Sequence, residues 1–369
     1  MILRAKRIDL LQTRPLNKQQ QENSKLNVAE LIDEKQILKS YPRRIVLEIT
    51  NACNLKCVMC GRNATNFTIT HFDLADLKKI EEALNNAEEV TLFGWGEPTI
   101  HPKFIEILEY LDKFPVRKYF VTNGTLLHKI KEAIFKYKVD IIAISIDGAC
   151  ATTNNRIRRG SDFDKVMDNI SEIVKEREKR GVNYPYMNFV FTAMASNYGE
   201  IPDMVRLTYK IGIEEVKYVY LTVFSKDMLH ETLWGEQDEI KKFFDEAAKL
   251  AKELGVKIKL PHIQGQDEAG DKLHKDCFVG WRDFFFGSDG YVRSCQSTSK
   301  KLFHIDKYNS FMEMWNSIEM QDFREKVNSE KTMPHECTQC YQSSHASWNR
   351  REAFIQLGQR FAPEWERKK

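Results

Sequence analysis

The sequence predicts an α/β fold, a partial (β/α)6 TIM-like barrel with a small cysteine-rich domain at its C-terminal end. Three observations predict it. Six short apolar runs between residues 44 and 222 alternate with longer amphipathic stretches, and this alternation stops after residue 255. Strands that are apolar on both faces and separated by helices are typical of a parallel sheet with crossover helices. Four of the eight cysteines follow residue 255, which indicates a separate small domain there.

The first 40 residues are polar with a weak helical pattern near Val28, and they predict an N-terminal extension. Strands are predicted at 44–49, 90–93, 118–121, 141–146, 187–192 and 216–222. Helices are predicted at 73–85, 102–111, 162–180, 201–210 and 236–254. Six strand–helix units make about three-quarters of an eight-stranded barrel and leave one side open for a substrate. The predicted domains are the extension at 1–40, the barrel at 41–255, the cysteine-rich domain at 256–345 and a tail at 346–369.

Composition narrows the class of protein. The chain has 369 residues, of which 42% are hydrophobic and 30% charged, as in a globular protein with a full core. Its 56 basic and 53 acidic residues are too evenly balanced to indicate a nucleic-acid or membrane partner. No apolar run approaches the roughly 20 residues of a membrane helix, and residues 1–18 lack a signal-peptide core. We therefore expect a cytoplasmic protein whose thiols stay reduced.

The predicted strands end at residues with chemical character. The first is followed by a cysteine-rich loop, the second by 94–98, the third by 122–124, the fourth by 145–148 and the fifth by 193–197. The carboxyl ends of parallel barrel strands lie on one rim, where such folds carry their chemistry. The sequence therefore predicts one shared active site at that rim.

Cys53, Cys57 and Cys60 form a C-x3-C-x2-C motif directly after the first strand. A loop can turn three such thiolates onto three corners of an iron–sulfur cube, which normally takes four, so that one iron stays open to a ligand from outside the protein. One alternative is a helix with cysteines at i, i+4 and i+7 on a buried face. Another is zinc, although structural zinc sites usually pair C-x2-C units with four ligands. We favour the cluster.

This motif resembles the signature of the radical S-adenosylmethionine (SAM) enzymes. The resemblance implies that the three cysteines bind a [4Fe–4S] cluster and that the amino and carboxylate groups of SAM chelate its fourth iron. Reduction by a low-potential electron donor of the flavodoxin or ferredoxin type would cleave SAM to methionine and a 5′-deoxyadenosyl radical, which abstracts a substrate hydrogen. It also implies that Met59, before the third cysteine, lies near the adenine.

Gly94 and Gly96 are small residues where a backbone can approach a ligand closely. Glu97 beside them is an acceptor suited to the SAM ammonium group. This segment resembles the family's Gly-Gly-Glu, with Trp95 in place of a small residue.

Further polar residues at the predicted rim are candidate SAM contacts. They are Asn123, Ser145, Asp147 and Asn197. The alternative for these residue types is that they cap the following helices. In the basic run of Arg156, Arg158 and Arg159, one residue is expected to clamp the SAM carboxylate or an anionic substrate; Arg158 is taken as the candidate and Arg159 is the alternative. A solvated loop is the alternative for that run.

A second set of cysteines follows the barrel: Cys277, Cys295, Cys337 and Cys340. Asp289-Gly290 predicts a hairpin turn between strands at 284–286 and 291–293, which carries the second cysteine back towards the first. Four thiolates form a closed site that suits zinc or an iron–sulfur cluster. The pattern resembles twitch, the short form of the SPASM domain, which implies one auxiliary [4Fe–4S] cluster. With the first cluster and SAM, the expected cofactors are two [4Fe–4S] clusters and SAM.

Cys150 is the cysteine left over, three residues after Asp147. In some relatives a lone thiol near the substrate donates a hydrogen atom to quench a product radical; the alternative is a bystander.

A fully ligated auxiliary cluster would act as an electron acceptor, so the first hypothesis is oxidation of a small polar metabolite such as a sugar or cyclitol. The second is epimerisation or cross-linking of a ribosomally made peptide, and the third is a noncatalytic iron–sulfur or zinc-binding protein.

Overall fold

A computed structural model of the chain describes residues 15–64, 68–233, 236–261, 277–295, 300–329, 331–335 and 337. Its described strands form one sheet of ten in the order β10-β9-β8-β1-β2-β3-β4-β5-β6-β7. The strands are β1 Arg44–Leu47, β2 Glu89–Leu92, β3 Arg117–Thr122, β4 Ile141–Ser145, β5 Tyr186–Ala193, β6 Glu215–Tyr220, β7 Lys257–Lys259, β8 Asp283–Phe286, β9 Tyr291–Arg293 and β10 Lys301–His304. The helices are α1 Lys18–Ile32, α2 Glu81–Asn86, α3 Phe104–Leu111, α4 Leu127–Lys136, α5 Ala151–Ile157, α6 Phe163–Arg180, α7 Ile201–Ile211, α8 Gln237–Leu254, α9 Val279–Arg282, α10 Phe311–Trp315 and α11 Ile318–Lys326.

The predicted partial (β/α)6 barrel is confirmed. Strands β1 to β6 are neighbours and pair in parallel throughout. On one face of the sheet, residues such as Ile142 and Phe189 join a core that includes Ile130 and Ile170 of the helices. On the opposite face a separate small cluster contains Ala143. Both faces are thus covered, which explains why the strands read as continuous apolar runs.

Both edges of the barrel sheet extend beyond the prediction. The alternation was expected to stop after residue 255, but β7 adds a further parallel strand beside β6. At the other edge, β8 pairs in parallel with β1 and antiparallel with β9. The predicted hairpin at Asp289-Gly290 is therefore confirmed, and it also continues the barrel sheet. Because the hydrogen-bonded sheet runs through both parts, the boundary between 41–255 and 256–345 stays a prediction.

The N-terminal extension packs through a polar helix face. The buried residues of α1 are Gln20, Asn23, Asn27 and Glu30, which recur at helical spacing. The Gln20 amide donates to the Ala87 carbonyl at 2.6 Å, and the Asn27 amide donates to the Trp281 carbonyl at 2.7 Å. This helix therefore joins the barrel to the C-terminal region by hydrogen bonds to backbone carbonyls. Among the described residues, no helix combines the length and hydropathy needed to cross a bilayer.

Asp289 holds the hairpin that carries Cys295. Its two carboxylate oxygens each accept a hydrogen bond of 2.9 Å from the Arg293 guanidinium, and the Lys301 ammonium lies 2.8 Å away. Burial raises the pKa of Asp289, but these cations outweigh burial and hold its pKa at about 2, below the ordinary 3.8. The ionised carboxylate therefore stabilises the folded state above pH 3.8, and this contribution is lost as the pH falls towards 2.

We expect Asp289→Asn to lower the free energy of unfolding by about 1–2 kcal/mol at pH 7. The loss should shrink as the pH falls from 4 to 3, because the native carboxylate then also loses its advantage. Urea unfolding followed by tryptophan fluorescence at each pH measures both values. Asp164→Asn, at an exposed position of α6, is the matched control. An equal loss for Asp289→Asn at every pH would contradict the ionic origin of this stability.

Candidate active site

The first cysteine motif lies in an irregular loop that leaves the end of β1. Residues 51–60 contain no helix, so the alternative of three cysteines on a helix face is wrong. The loop turns on itself where the Cys60 N–H donates to the Cys57 carbonyl at 3.1 Å. The Asn63 amide donates to the same carbonyl at 2.7 Å. Local hydrogen bonds thus fix the loop at the rim predicted from the strand order.

The three thiols are half-buried and close enough to influence one another's ionisation. Burial raises the pKa of Cys57 to about 11, although the nearby Arg158 lowers it, and burial also raises the pKa of Cys53. In the part of the chain that the structure describes, no three His, Cys, Asp or Glu side chains close around a single metal ion. Three thiols set apart in this way suit a bound group that is larger than one ion and that deprotonates its ligands.

A buried ion pair stands behind Cys57. The Arg158 guanidinium lies 2.7 Å from the Asp147 carboxylate and donates to the Cys57 sulfur at 3.9 Å. The other carboxylate oxygen of Asp147 accepts from the Thr192 N–H at 2.7 Å. Asp147 and Arg158, both candidate SAM contacts, therefore lie next to each other. Both carboxylate oxygens of Asp147 already contact protein groups. Their direct contact with SAM stays a prediction.

Gly94 and Gly96 let the loop after β2 pack against the cysteine loop. A Cβ atom on Gly96 would lie 2.2 Å from the Thr50 carbonyl oxygen, and one on Gly94 would lie 2.4 Å from the Glu48 carboxylate. Trp95 between them donates its N–H to Glu48 at 2.7 Å, and its ring packs edge-to-face on Phe224 at 5.3 Å. Absence of side chains at 94 and 96 is thus required by packing of the protein itself.

We expect Gly96→Ala to displace the cysteine loop, because the new methyl group would meet backbone atoms that cannot rotate away. Iron bound per chain after anaerobic reconstitution should fall by about half, as when one of two four-iron clusters is lost. Gly199→Ala is the matched control, since a Cβ atom there meets nothing within 4 Å. Iron content unchanged by Gly96→Ala would show that the loop adapts.

Glu97 joins the ends of β2 and β3. One carboxylate oxygen accepts from the Thr99 and Thr122 hydroxyls at 2.6 and 2.7 Å, and the other accepts from the Asn123 N–H at 2.6 Å. Burial raises the pKa of Glu97, and these hydrogen bonds oppose that rise. The Asn123 amide in turn lies 4.0 Å from the Cys53 sulfur. Glu97 therefore holds in place the segment of Asn123, which lies next to Cys53. Contact of Glu97 with the SAM ammonium group stays a prediction.

The remaining SAM candidates occupy different surroundings. The Asn197 amide donates to the carbonyls of Asp147 and Thr192 at 3.0 and 2.9 Å, and its oxygen accepts from the Met194 N–H at 2.7 Å. Ser145 ends β4 and is half-buried. Asn197 thus has its side chain committed to the loop after β5, and contacts of both residues with SAM stay predictions.

Met59 belongs to an apolar group at the carboxyl ends of β5 and β6. Its buried members are Ile157, Met194 and Leu221, and its half-buried members are Val58, Met59, Val223 and Met228. Apolar, polarisable side chains of this kind fit a flat aromatic ring. Sequence reasoning found Met59 alone, since the other members, apart from the adjacent Val58, come from separate segments that only the fold brings together.

Three members of the second cysteine set are among the described residues. Cys277 is buried, and Cys295 and Cys337 are half-buried; Cys340 lies outside the described residues. The Asn328 side chain accepts from the Cys277 N–H at 2.5 Å and donates to the Cys277 carbonyl at 3.3 Å. Asn328 thus fixes the backbone of the first ligand candidate. No motif marked it in the sequence, because it lies 51 residues along the chain from Cys277, the cysteine that it contacts.

Two family models match the chain. The model of the radical SAM superfamily matches residues 47–190, and that of the SPASM iron–sulfur cluster-binding domain matches residues 277–341. The first match contains the cysteine loop and its buried ion pair, and the second contains the second cysteine set.

Residues 47–190 of the chain thus form a radical SAM domain.

Individual relatives are similar over longer stretches of the chain. The chain is 26% identical to the tungsten-containing aldehyde ferredoxin oxidoreductase cofactor-modifying protein of Pyrococcus furiosus, over 61% of this chain and 64% of that protein. It is 27% identical to the subtilosin biosynthesis protein AlbA of Bacillus subtilis, over 73% of this chain and 59% of AlbA. It is 25% identical to the AdoMet-dependent heme synthase of Methanosarcina barkeri, over 87% of this chain and 95% of that enzyme. The chain thus spans less than two-thirds of the first two relatives.

Solved structures share the fold. Streptococcus suis SuiB bound to SAM superposes with a TM-score of 0.65 at 14% sequence identity, covering 84% of this chain and 74% of SuiB. At this identity the likeness establishes the architecture, a partial barrel followed by a C-terminal domain.

The residues present fit the cofactors of a radical SAM enzyme. Besides the three thiols, the Arg62 and Arg158 Nε–H groups are buried and have no hydrogen-bond partner among the described residues. The positive charge of Arg62 lowers the pKa of Cys53, and that of Arg158 lowers the pKa of Cys57. Unsatisfied cationic donors beside thiols are suited to an anionic thiolate cluster. A radical SAM domain binds a [4Fe–4S] cluster and SAM, and Cys53, Cys57 and Cys60 would hold that cluster.

Cys150 lies at the rim but outside this group. Its thiol is exposed immediately before α5 and lies 3.7 Å from the Thr153 hydroxyl. Thr153 hydrogen-bonds in turn to Glu200. The role of Cys150 as a hydrogen-atom donor stays a prediction.

Proposed function

We propose that this chain is a radical SAM oxidoreductase that removes a hydrogen atom from a substrate at the mouth of the barrel and then oxidises it. When bound, the [4Fe–4S] cluster and SAM supply the 5′-deoxyadenosyl radical that takes the hydrogen atom. The observation that carries the proposal is the rim loop of Cys53, Cys57 and Cys60, backed by the buried Arg158–Asp147 pair.

The protein's own side chains position and shield this chemistry. Arg158 donates to Cys57 and Asn123 to Cys53, so two of the three ligand sulfurs receive hydrogen bonds that orient them. The apolar group around Met59 and Met194 excludes water beside them. Cys277, Cys295 and Cys337, with Cys340 from outside the described residues, would hold the auxiliary [4Fe–4S] cluster. That cluster is the proposed acceptor of the substrate's second electron.

The barrel interior supports a substrate with an apolar reacting group. On the sheet face turned away from the helices, Val121, Val190 and Val219 are half-exposed near the carboxyl ends of their strands, and the half-buried Ser145 and Thr192 lie in register with the last two. A polyhydroxylated sugar bound against the three valines would leave hydroxyl groups there without partners, at a cost of about 1–3 kcal/mol each. An apolar peptide side chain would meet no such cost.

We therefore place modification of a peptide ahead of oxidation of a small polar metabolite such as a sugar or cyclitol. Two relatives carry names of this kind, the subtilosin biosynthesis protein AlbA and the mycofactocin maturase MftC. Cross-linking of a peptide is a net oxidation that passes the second electron to the auxiliary cluster, so it agrees with the proposed oxidoreductase. Epimerisation is the alternative, in which the exposed Cys150 would return a hydrogen atom to the substrate radical without net oxidation.

The test begins with the anaerobically reconstituted chain, SAM and dithionite. Formation of 5′-deoxyadenosine, measured by liquid chromatography and mass spectrometry, together with about eight irons per chain, is the expected result. About four irons and one zinc would assign zinc to the second site. Absence of 5′-deoxyadenosine from a chain that holds its iron would contradict the proposed function. With a substrate in hand, loss of solvent deuterium incorporation in Cys150→Ala indicates epimerisation, and unchanged turnover indicates oxidation.

A further inference from the structure

The segment at 221–232, here called the β6 loop, connects the carboxyl end of β6 to loops at the other side of the rim. Its Phe224 ring packs edge-to-face on the Trp95 ring of the loop after β2, with the ring centres 5.3 Å apart. Three strands separate β6 from β2 in the sheet. The ring contact therefore joins two loops that the sheet itself keeps apart.

Both rings also lie against the end of the cysteine loop. A Cβ atom on Gly61 would lie 2.7 Å from the Trp95 ring and 2.9 Å from the Phe224 ring. Gly61 directly follows Cys60. A residue without a side chain at position 61 thus lets the aromatic pair pack beside the third cysteine of the motif.

The inner side of the β6 loop belongs to the apolar group that contains Met59. Leu221 is buried in that group, and Val223 and Met228 pack against it. Phe224, in contrast, is 43% exposed. The β6 loop thus covers part of the apolar group and carries its aromatic ring towards solvent.

The β6 loop is hydrogen-bonded at its ends and held by packing in its middle. At one end the Leu221 N–H donates to the Ala193 carbonyl at 3.3 Å. At the other end the Glu231 carbonyl accepts from the Ala195 N–H at 3.0 Å. Within the described part of the chain, residues 222–228 make no hydrogen bond to another segment. A segment held in this way opens at a lower cost in free energy than a hydrogen-bonded strand of the sheet.

We propose that the β6 loop is the gate through which SAM enters and leaves the site, and that the contact of Phe224 with Trp95 holds this gate shut. The proposal rests on the proposed function, which brings SAM to the cysteine loop with its adenine near Met59. The β6 loop contacts both places, because Phe224 lies against Gly61 and other residues of the loop pack in the apolar group. SAM bound there is released only when the β6 loop moves. The gate depends on Trp95, which stands where the family's Gly-Gly-Glu has a small residue.

The test compares the rates and the equilibrium of SAM binding in Phe224→Ala and in the native chain, both reconstituted anaerobically. Equilibrium dialysis with tritiated SAM gives the dissociation constant. Release of bound tritiated SAM after addition of excess unlabelled SAM gives the dissociation rate, and the two values together give the association rate. Phe224→Tyr keeps the ring. Tyr209→Ala is the matched control, since it removes a ring that is 58% exposed on α7.

We expect Phe224→Ala to raise the dissociation and association rates of SAM about tenfold each. The dissociation constant should stay within about twofold of the native value, because a gate limits passage in both directions alike. Phe224→Tyr and Tyr209→Ala should bind and release SAM at the native rates. The iron bound per chain should be the same in all four proteins.

Unchanged rates in Phe224→Ala would overturn the gate. So would a dissociation constant that rises as much as the dissociation rate, because Phe224 would then contact bound SAM and not control its passage. Loss of iron from Phe224→Ala would also overturn it, since the ring would then serve to hold the cysteine loop. A native chain that shows the expected rates but makes no 5′-deoxyadenosine with dithionite would instead contradict the proposed function and leave the gate standing.

Discussion

Replacing Cys53, Cys57 and Cys60 together with alanine will abolish formation of 5′-deoxyadenosine from SAM. The three half-buried thiols are the proposed ligands of the rim loop, and alanine offers no atom that can hold iron. Bound iron should fall from about eight to about four per chain, because the second cysteine set keeps its own cluster. Anaerobic reconstitution followed by iron analysis and the nucleoside assay measures both quantities.

Cys150→Ala is the matched control for this triple variant, since it removes an exposed thiol on the same rim. Its iron content and its SAM cleavage without substrate should equal those of the native chain. If the triple variant retained 5′-deoxyadenosine formation, the radical SAM assignment of the loop would fail. If it lost all eight irons, the two cysteine sets would depend on each other for folding, which the parallel pairing of β1 with β8 makes physically reasonable.

The barrel could be predicted from the sequence because its strands are buried on both faces. Runs such as 141–146 contain no charged residue, and β4 is found at Ile141–Ser145. The helix α1 shows the opposite case. Its buried face consists of amides and a carboxylate bonded to backbone carbonyls and N–H groups, so hydropathy carried no signal for that face. The pairing of β8 with β1 joins segments over 200 residues apart and likewise left no local pattern.

The candidate site also combines features that the local sequence predicts with contacts that only the fold creates. Cysteine spacing marked the three proposed rim ligands, because the geometry of a cluster constrains ligands that are neighbours along a loop. Their binding of a cluster stays a prediction. The polar rim residues were found as a set, but their partners could not be predicted from residue type. Asp147 and Glu97 carry carboxylates of the kind that binds an ammonium group. In the fold, however, Asp147 forms an ion pair with Arg158. Glu97 accepts hydrogen bonds from Thr99, Thr122 and Asn123. Only three-dimensional packing decides which polar group meets a ligand and which meets the protein.

Arg158→Ala is expected to cost about 3–5 kcal/mol of folding free energy, because it leaves the Asp147 carboxylate buried without a cation. Asp147 has no exposed surface, and its ion pair with Arg158 measures 2.7 Å. The same substitution removes the hydrogen bond to the Cys57 sulfur, so the bound cluster should become harder to reduce. Urea unfolding of the metal-free chain gives the first value, and a redox titration monitored by electron paramagnetic resonance gives the second.

A double-mutant cycle separates the two roles of this arginine. Asp147→Asn alone removes the buried negative charge, and on that background Arg158→Ala should cost at least 2 kcal/mol less than on the native background, since no carboxylate is left unpaired. The fall in reduction potential should persist in the double variant, because the guanidinium that reached the Cys57 sulfur is still gone. Equal stability losses on both backgrounds would show that the carboxylate does not depend on Arg158. A potential restored by Asp147→Asn would show that the net charge of the pair, and not the hydrogen bond to sulfur, sets the ease of reduction.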